Sequence, residues 1–275
     1  MLKFIKININ FKQTSLAPPS FLGSILRGAL GYALKRVVCI NPSYECNNCF
    51  AKDNCLFYDF YEKKNSFHPF RFDFKLNQEK FDFSLYLFEE ATEKIPYILS
   101  SLHKLFNEIG IGKDRKKLTI DTIRCNDTIV FKENKFIDSA LPKEFQIDSF
   151  SSNATIEIIT PLRMKYQNRL LKTKPPLEVF LQSIYNRYLE LKQTQRAKLP
   201  FTPSYQEKEN KIFFRELTRY SNRQKTKMQL GGIMGKITYE NLDRQSFELL
   251  KLGEILGVGK QTVFGLGKIE VKEGE

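Results

Sequence analysis

Two things are missing from this sequence: a long apolar run and a clear signal peptide. Of its 275 residues, 41% are hydrophobic, yet no run approaches the ~18–20 apolar residues that a membrane-spanning helix needs. The first residues alternate between apolar and polar side chains, which is typical of a strand and not of a signal peptide. We therefore expect a cytoplasmic protein with no membrane partner.

The chain also lacks the motifs of metal-dependent and nucleophilic enzymes. It has only two histidines, His68 and His103, with no HExxH, no nucleophile elbow and no acidic cluster. These absences disfavour a metal-dependent nuclease. RNA can be cleaved without metal, because its 2′-hydroxyl is an internal nucleophile that needs only a base, an acid and a cation. Imidazole titrates near neutral pH, so His68 is our candidate acid or base; a structural role is the alternative for both histidines.

Acidic residues are scarce relative to basic ones. The formal net charge is +13, which favours a polyanionic partner. Between Arg163 and Lys227, 16 Lys/Arg accompany 5 Asp/Glu, so this segment carries +11. Tyrosines and phenylalanines lie among these basic residues, a pattern that suits RNA because bases stack on aromatic rings. The alternative is a solvated basic face above aromatic residues of the core.

Cysteine is confined almost entirely to one segment. Cys39, Cys46, Cys49 and Cys55 have the spacing C-x6-C-x2-C-x5-C, and Cys125 lies apart. In a protein expected in the cytoplasm, four nearby thiols favour a metal over disulfides. We predict structural zinc, with an iron–sulfur cluster or reduced thiols as alternatives. A closed four-cysteine site leaves no position for a catalytic water, so we expect no cofactor in catalysis.

Hydrophobic periodicity predicts the element order strand, helix, strand, strand, helix, strand, and the same order follows a turn-rich link. The predicted fold class is α+β, with two tandem ferredoxin-like (βαββαβ, RRM-like) domains. The first domain is expected over 1–145, with a cysteine-rich insert at 39–66. The second is expected over 146–275, with a glycine-rich loop at 257–267 and a last strand over Val263–Val271.

Glycines mark two candidate binding surfaces, the first of which is the loop at 257–267. Gly257, Gly259, Gly265 and Gly267 form two Gly-x-Gly pairs, and Lys260 and Lys268 follow them. Glycine tolerates positive φ, and exposed N–H groups beside lysines suit phosphate. The alternative is a tight turn between a helix and a strand.

The second glycine surface lies on the first predicted helix. Projection at 100° per residue places an apolar face on one side, made by Leu22, Ile25, Leu26, Ala29, Ala33 and Val37. The opposite face carries Gly28 and Gly31 between Arg27 and Lys35. The two glycines leave a gap on this face, which we call the notch. Because glycine inside a helix costs ~1 kcal/mol relative to alanine, the notch predicts that another group approaches this face closely. We consider an RNA backbone and another part of the protein as alternatives.

The chain resembles the CRISPR-associated endoribonucleases of the RAMP superfamily, which process precursor CRISPR RNA. The similar segments cover nearly the whole chain: Phe21–Gly31, the cysteine insert with Phe67–Phe70, Gly110–Arg115, Thr160–Lys165 and Gly257–Gly267. The resemblance implies tandem ferredoxin-like folds and metal-independent cleavage of CRISPR repeat RNA, leaving 2′,3′-cyclic phosphate and 5′-hydroxyl ends. It also implies no small-molecule cofactor. Some relatives carry a histidine directly after the glycine of the first helix, where this chain has Tyr32.

The resemblance suggests roles for individual residues. His68 is expected to be the general acid or base, Tyr32 to orient the scissile nucleotide, and Lys35 or Arg27 to stabilise the phosphorane. Expected RNA contacts are Arg27, Gly28, Gly31, Arg163, Lys165, Arg219, Arg223, Lys225, Lys227, Gly257, Gly259, Lys260, Gly265, Gly267 and Lys268.

Three functions remain in competition at this point. The leading one is the endoribonuclease, with CRISPR repeat RNA and other CRISPR effector subunits as expected partners. The second is a non-catalytic RAMP-type RNA-binding subunit of an effector complex. The third is a basic, zinc-stabilised binder of ribosome or tRNA, which explains the charge but not the paired glycines.

Overall fold

The protein is a mixed α+β structure with antiparallel sheets. The computed structural model describes residues 1–63, 67–221 and 226–274. The chain divides into two units, Met1–Glu144 and Phe145–Glu275. No helix in the described ranges is long and apolar enough to cross a membrane.

The first unit is built around one large sheet. Its elements are β1 (Lys3–Phe11), α1 (Gly23–Val38), β2 (Phe70–Asp73), β3 (Phe83–Phe88), α2 (Ile95–Lys104), β4 (Ile120–Cys125), β5 (Thr128–Lys132), β6 (Lys135–Phe136) and β7 (Lys143–Glu144). The strand order is β2-β3-β1-β4-β5-β6, and β7 pairs with β1. On β1, Ile5, Ile7 and Ile9 are fully buried, as the alternation in the sequence predicts for a strand with one face in the core.

Helix α1 packs against α2, but its buried stripe differs from the predicted one. Leu30 and Leu34 are buried, whereas Ile25, Ala29 and Val37, which we expected in the core, are only partly buried. Both stripes follow helical spacing, so the periodicity alone did not fix which side faces the core.

The segment between α1 and β2 contains a short helical turn at Tyr58–Glu62. Phe60 of this turn is buried, and its ring stacks on Phe70 of β2 at a centroid distance of 4.9 Å. The segment is therefore anchored to the sheet by aromatic packing.

The second unit has a four-stranded sheet and two short two-stranded ones. Its elements are β8 (Ala154–Leu162), β9 (Lys165–Tyr166), β10 (Arg169–Leu170), α3 (Leu177–Leu191), β11 (Gln206–Arg215), β12 (Thr218–Ser221), β13 (Thr226–Gln229), β14 (Gly232–Glu240), α4 (Arg244–Leu256) and β15 (Ile269–Glu273). The main sheet has the order β11-β14-β8-β15, while β12 pairs with β13 and β9 with β10.

The predicted last strand over Val263–Val271 needs correction. Strand β15 begins only at Ile269, and Thr262–Phe264 forms a helical turn. Gly265 and Gly267 both have positive φ, which is incompatible with a continuous strand. The chain therefore turns through this region before it enters the sheet.

Candidate functional site

The notch on α1 is filled by a side chain of the protein itself. A Cβ at Gly31 would lie 2.7 Å from Cε1 of Tyr61, so the glycine is required by the ring above it. Nothing lies within 4 Å of a Cβ placed at Gly28, which is exposed. The close approach that the glycines predicted is real, but at Gly31 it leaves no room for an RNA backbone.

Tyr61 belongs to a cluster of aromatic rings, which we call the ring cluster: Phe57, Phe60, Tyr61 and Phe70. Tyr61 stacks on Phe57 with centroids 5.3 Å apart and an interplanar angle of 9°. It also lies 5.7 Å from Phe70. The half-buried ring of His68 lies 6.0 Å from the same Phe70 ring. The structure therefore places the predicted acid or base beside these rings.

Two predicted cations of α1 lie over the ring cluster. The Arg27 guanidinium carbon is 4.9 Å from the centroid of Tyr61, and Lys35 Nζ is 4.9 Å from that of Phe57. Cation–π contacts of this kind contribute about 0.5–2 kcal/mol. Arg27, Lys35 and His68 thus all border one group of rings, although they come from different parts of the sequence.

Tyr61 lies at the centre of these contacts and was not among the residues predicted from the sequence. Burial raises the pKa of its hydroxyl well above the usual value, and the Arg27 charge opposes this only in part. The hydroxyl oxygen is buried and has no hydrogen-bond partner among the described residues. The spacing of Phe57 and Tyr61, four residues apart just after the last cysteine of the insert, was the available signal for a helical pair facing α1.

Tyr32 and His103 lie in different surroundings. Tyr32 is 41% exposed and carries Arg36 over its ring at 4.7 Å. His103, on α2, lies beside Phe131 and Phe136 at 6.1 and 6.2 Å. The described contacts connect neither residue to the ring cluster, and the role of Tyr32 stays a prediction.

The glycine-rich loop is a packed turn and not an open cradle of N–H groups. Val258 N–H donates to Gly267 O at 2.8 Å, Lys260 N–H to Arg163 O at 2.8 Å, and Gly267 N–H to Pro161 O at 3.2 Å. Thr160 joins the loop through its Oγ1, which donates to Gly265 O and accepts from Lys268 N–H.

These bonds correct the expectation that the loop offers exposed N–H groups to phosphate. A Cβ at Gly259 would lie 2.4 Å from Arg163 O, and Gly257, Gly265 and Gly267 are buried. The positive φ values and the close backbone contacts explain why glycine occupies these positions. The exposed Lys260 side chain remains available for an anion.

Arg219, on β12, is held against the loop. Its guanidinium carbon lies 4.3 Å from the centroid of the Phe264 ring, and Nη2 donates to Met228 Sδ at 3.2 Å. Its Nε is buried without a hydrogen-bond partner in the described part of the chain, and burial lowers the pKa of the guanidinium. A half-buried cation with an unused donor is suited to an anionic oxygen.

The other predicted RNA contacts differ in how accessible they are. Arg163 is half-buried, and its Nη1 donates to Gly231 O. Burial lowers the pKa of its guanidinium, and the charge of Glu216 opposes this shift. The Lys268 side chain is 14% exposed, and its Nζ lies 3.8 Å from Glu270 Oε1. Exposed lysines are Lys165 and Lys227. Arg223 and Lys225 fall outside the described residues.

The predicted four-cysteine metal site stays a prediction. Cys39, Cys46, Cys49 and Cys55 are free and partly buried. No group of three or more His, Cys, Asp or Glu side chains in the described ranges is placed to hold a metal ion. In the turn after Cys39, Asn41 Nδ2 donates to Glu45 O at 3.0 Å.

The fifth cysteine is separate from this segment. Cys125 is buried at the end of β4, and burial raises the pKa of its thiol to about 12. This thiol is therefore protonated at neutral pH and behaves as a core residue.

Comparison with known proteins assigns each unit. A family profile described as an N-terminal domain, AF_1859_N, matches residues 2–143. The profile of the CRISPR-associated endoribonuclease Cas6 matches residues 156–269. An uncharacterized protein of Archaeoglobus fulgidus is 24% identical over 98% of this chain and 96% of its own length.

Solved structures share the fold. A Cas6 product complex from Thermus thermophilus has a TM-score of 0.55 at 14% identity and covers 99% of both chains. The product of a Cas6-related gene from Pyrococcus furiosus has a TM-score of 0.54 at 13% identity over 100% of both chains. A RAMP protein described as binding different RNA substrates has a TM-score of 0.51 at 11% identity, covering 98% of this chain and 100% of its own.

At these identities the structures show the fold alone, whereas the two profiles show descent. The first spans half of the chain, and the second follows it in the other unit. Residues 156–269 therefore belong to the Cas6 family of CRISPR-associated endoribonucleases, and residues 2–143 to the family of the AF_1859_N domain.

Proposed function

We propose that this protein cleaves CRISPR repeat RNA to generate mature guide RNAs, by attack of the RNA's own 2′-hydroxyl and without a metal ion. The products are a 2′,3′-cyclic phosphate and a 5′-hydroxyl. The observation that carries the proposal is the common border of His68, Arg27 and Lys35 on the ring cluster. The reaction needs a base, an acid and a cation at the phosphorane, and these three residues supply one acid or base and two cations.

In this proposal each residue has a separate task. His68 takes the proton from the 2′-hydroxyl or delivers one to the departing 5′-oxygen, and solvent water makes the other proton transfer. Arg27 or Lys35 stabilises the charge that develops on the phosphorane as the 2′-oxygen bonds to phosphorus and the bond to the 5′-oxygen breaks. Tyr32, which is exposed, orients the scissile nucleotide by stacking.

Two tandem ferredoxin-like domains, at 1–145 and 146–275, provide the frame in this proposal. The order β2-β3-β1-β4 supports it in the first unit, with α1 after β1 and α2 after β3. The order β11-β14-β8-β15 supports it in the second, with α3 after β8 and α4 after β14. Residues 39–66 are an insert in the first domain.

The second unit holds the RNA backbone in this account. Arg219 on the Phe264 ring and the exposed Lys165, Lys227 and Lys260 are the groups best placed for phosphate. Their contacts are electrostatic, so affinity should fall steeply with salt as counterions are released.

The decisive assay incubates the protein with its cognate repeat RNA in EDTA and analyses the ends of the fragments. We expect a single cut with a cyclic phosphate on the 5′ fragment. Cleavage that requires added magnesium would contradict the mechanism. Tight binding without a cut in any buffer would instead identify a non-catalytic RNA-binding subunit, which the Tyr32 departure keeps in consideration.

Histidine variants test the site. We expect His68→Ala to reduce the single-turnover rate by about 10²–10⁴-fold, the usual contribution of a general acid or base, with RNA affinity unchanged. His103→Ala is the matched control and should cleave at the wild-type rate. A wild-type rate for His68→Ala would remove this residue from the mechanism.

Two further expectations stay as proposals. Elemental analysis of reduced, untagged protein tests zinc at the four cysteines, and a result without zinc or iron would remove the metal. Other CRISPR subunits are proposed partners; one similar structure is a partial Cas6-RT-Cas1–Cas2 complex, in which the match covers 46% of the matched chain. Co-purification with the other CRISPR proteins checks this.

A further inference from the structure

Helix α1 and the helical turn that follows the cysteines meet in a regular arrangement. On α1, Arg27, Gly31 and Lys35 are spaced by four residues and lie on one side. Phe57 directly precedes the turn at Tyr58–Glu62 and Tyr61 lies within it; the two are also spaced by four and stack on one another. The Arg27 guanidinium lies over Tyr61, Lys35 Nζ lies over Phe57, and Gly31 makes the room for the Tyr61 ring.

Ordinary core packing explains this arrangement poorly. A tyrosine costs stability when its hydroxyl is buried without a hydrogen bond, and a phenylalanine of the same shape avoids that cost. A helix-interior glycine at Gly31 is a second unfavourable choice. Both costs are tolerated where the stacked pair of rings faces two cations, with Arg27 over Tyr61 and Lys35 over Phe57.

We propose that Phe57 and Tyr61 form an aromatic clamp that fixes Arg27 and Lys35 for contact with the scissile phosphate, with Tyr61 as a positioning residue. This inference rests on the proposed function and deepens it. Tyr61 is not assigned a chemical step, because its hydroxyl is buried among the rings and does not face solvent.

The clamp acts by limiting the freedom of long side chains. Arginine and lysine lose considerable rotamer entropy when they are ordered on a ligand. A cation already seated on a ring loses less on binding, and its charge is in place when the phosphorane forms. We therefore expect that removing the Tyr61 ring slows cleavage only when Arg27 is present.

A double-mutant cycle tests this dependence. Tyr61→Phe keeps the ring and should cleave within about twofold of wild type. Tyr61→Leu removes the ring and should slow single-turnover cleavage about 10-fold and weaken RNA binding a few-fold, within the range measured for lost positioning. Arg27→Gln alone should slow cleavage by about 10²-fold. In the Arg27→Gln background, Tyr61→Leu should have no further effect.

The outcomes separate the clamp from a structural role. Equal losses from Tyr61→Leu in both backgrounds, or no loss in either, would overturn the proposal, as would an inactive Tyr61→Phe. Tyr97→Leu on α2, which removes a tyrosine that is 51% exposed, is the control and should leave cleavage unchanged. Thermal denaturation of every variant checks folding; if Tyr61→Leu is unfolded, the cycle is run with Tyr61→Met.

The same cycle is measured on RNA affinity, in order to separate this inference from the proposed function. If the wild-type protein binds repeat RNA but does not cut it, the proposed reaction is wrong. The clamp is then judged by affinity alone: the weakening by Tyr61→Leu must again vanish in the Arg27→Gln background, and additive weakening rejects it.

Discussion

Two glycine-rich regions of this protein look alike in sequence but need glycine for different reasons. On α1, Gly31 has ordinary helical geometry and is required by the ring of Tyr61 above it. In the loop before β15, Gly267 has φ +69° and a Cβ there would lie 1.8 Å from Val258 O. The first requirement comes from a side chain that can be changed, whereas the second comes from the backbone itself.

The two regions also share a way of holding cations. Arg27 lies over Tyr61 at 4.9 Å, and Arg219 lies over Phe264 at 4.3 Å. In the first case the ring fills the space left by Gly31, and in the second the ring directly precedes Gly265. In both regions glycine therefore lies beside an aromatic ring that carries an arginine.

The largest expected effect is that of Gly267→Ala. The substitution combines a left-handed backbone with a clash against a carbonyl oxygen, neither of which a rotamer change can relieve. We expect it to lower the free energy of unfolding by more than about 3 kcal/mol. Urea denaturation of the purified variant measures this loss.

Gly112→Ala is its matched control. Gly112 has a similar φ of +74°, but nothing lies within 4 Å of a Cβ placed there. Only the conformational cost should remain, about 1–2 kcal/mol. Equal losses in the two variants would show that the backbone clash at Gly267 contributes nothing.

Much of the fold could be predicted from the sequence, because its signals are local. The alternation on β1 and the helical spacing of α3 follow directly from side-chain periodicity. The last strand was misplaced because the apolar residues Val263, Phe264 and Leu266 are buried in a turn. Burial alone does not distinguish a turn from a strand; the positive φ of Gly265 and Gly267 shows that this segment is a turn.

The site was harder to predict because it depends on contacts between distant segments. Arg27, Lys35 and His68 were identified from residue type, but Tyr61 was not, since its role arises from packing on Gly31. The cysteine spacing predicts a metal site, and among the described residues no group of three or more His, Cys, Asp or Glu side chains is placed to hold a metal ion. Sequence spacing shows which ligands are available, but only the path of the chain shows whether they meet.

The second prediction concerns Gly31→Ala, in which the added methyl group overlaps the Tyr61 ring. Overpacking of this kind costs about 1–3 kcal/mol, and we expect a loss of about 2 kcal/mol in urea denaturation. Because the obstacle is a side chain, the loss should largely disappear in a Tyr61→Leu background. No such rescue is expected for Gly267→Ala, and failure of the rescue at Gly31 would place the two regions in the same class.

The third prediction compares the arginine of the second unit with another on its surface. Arg219→Gln should weaken binding of repeat RNA by about 1–2 kcal/mol and reduce the salt dependence of log Kd by about one unit, as expected for one lost phosphate contact. Arg244→Gln removes the same charge from a residue paired with Glu248 and should have little effect. Equal weakening by both would indicate a general effect of net charge and not a phosphate site.

The smallest expected effect has the opposite sign. Gly28 lies on the same helix as Gly31, but a Cβ there meets nothing within 4 Å. Gly28→Ala should therefore stabilise the protein by up to about 1 kcal/mol, because alanine favours the helix more than glycine does. RNA binding by the same variant decides why a glycine is there: if affinity falls while stability rises, the exposed half of the notch contacts RNA. If affinity is unchanged, only the half covered by Tyr61 has a role, and the glycine at 28 needs no ligand to explain it.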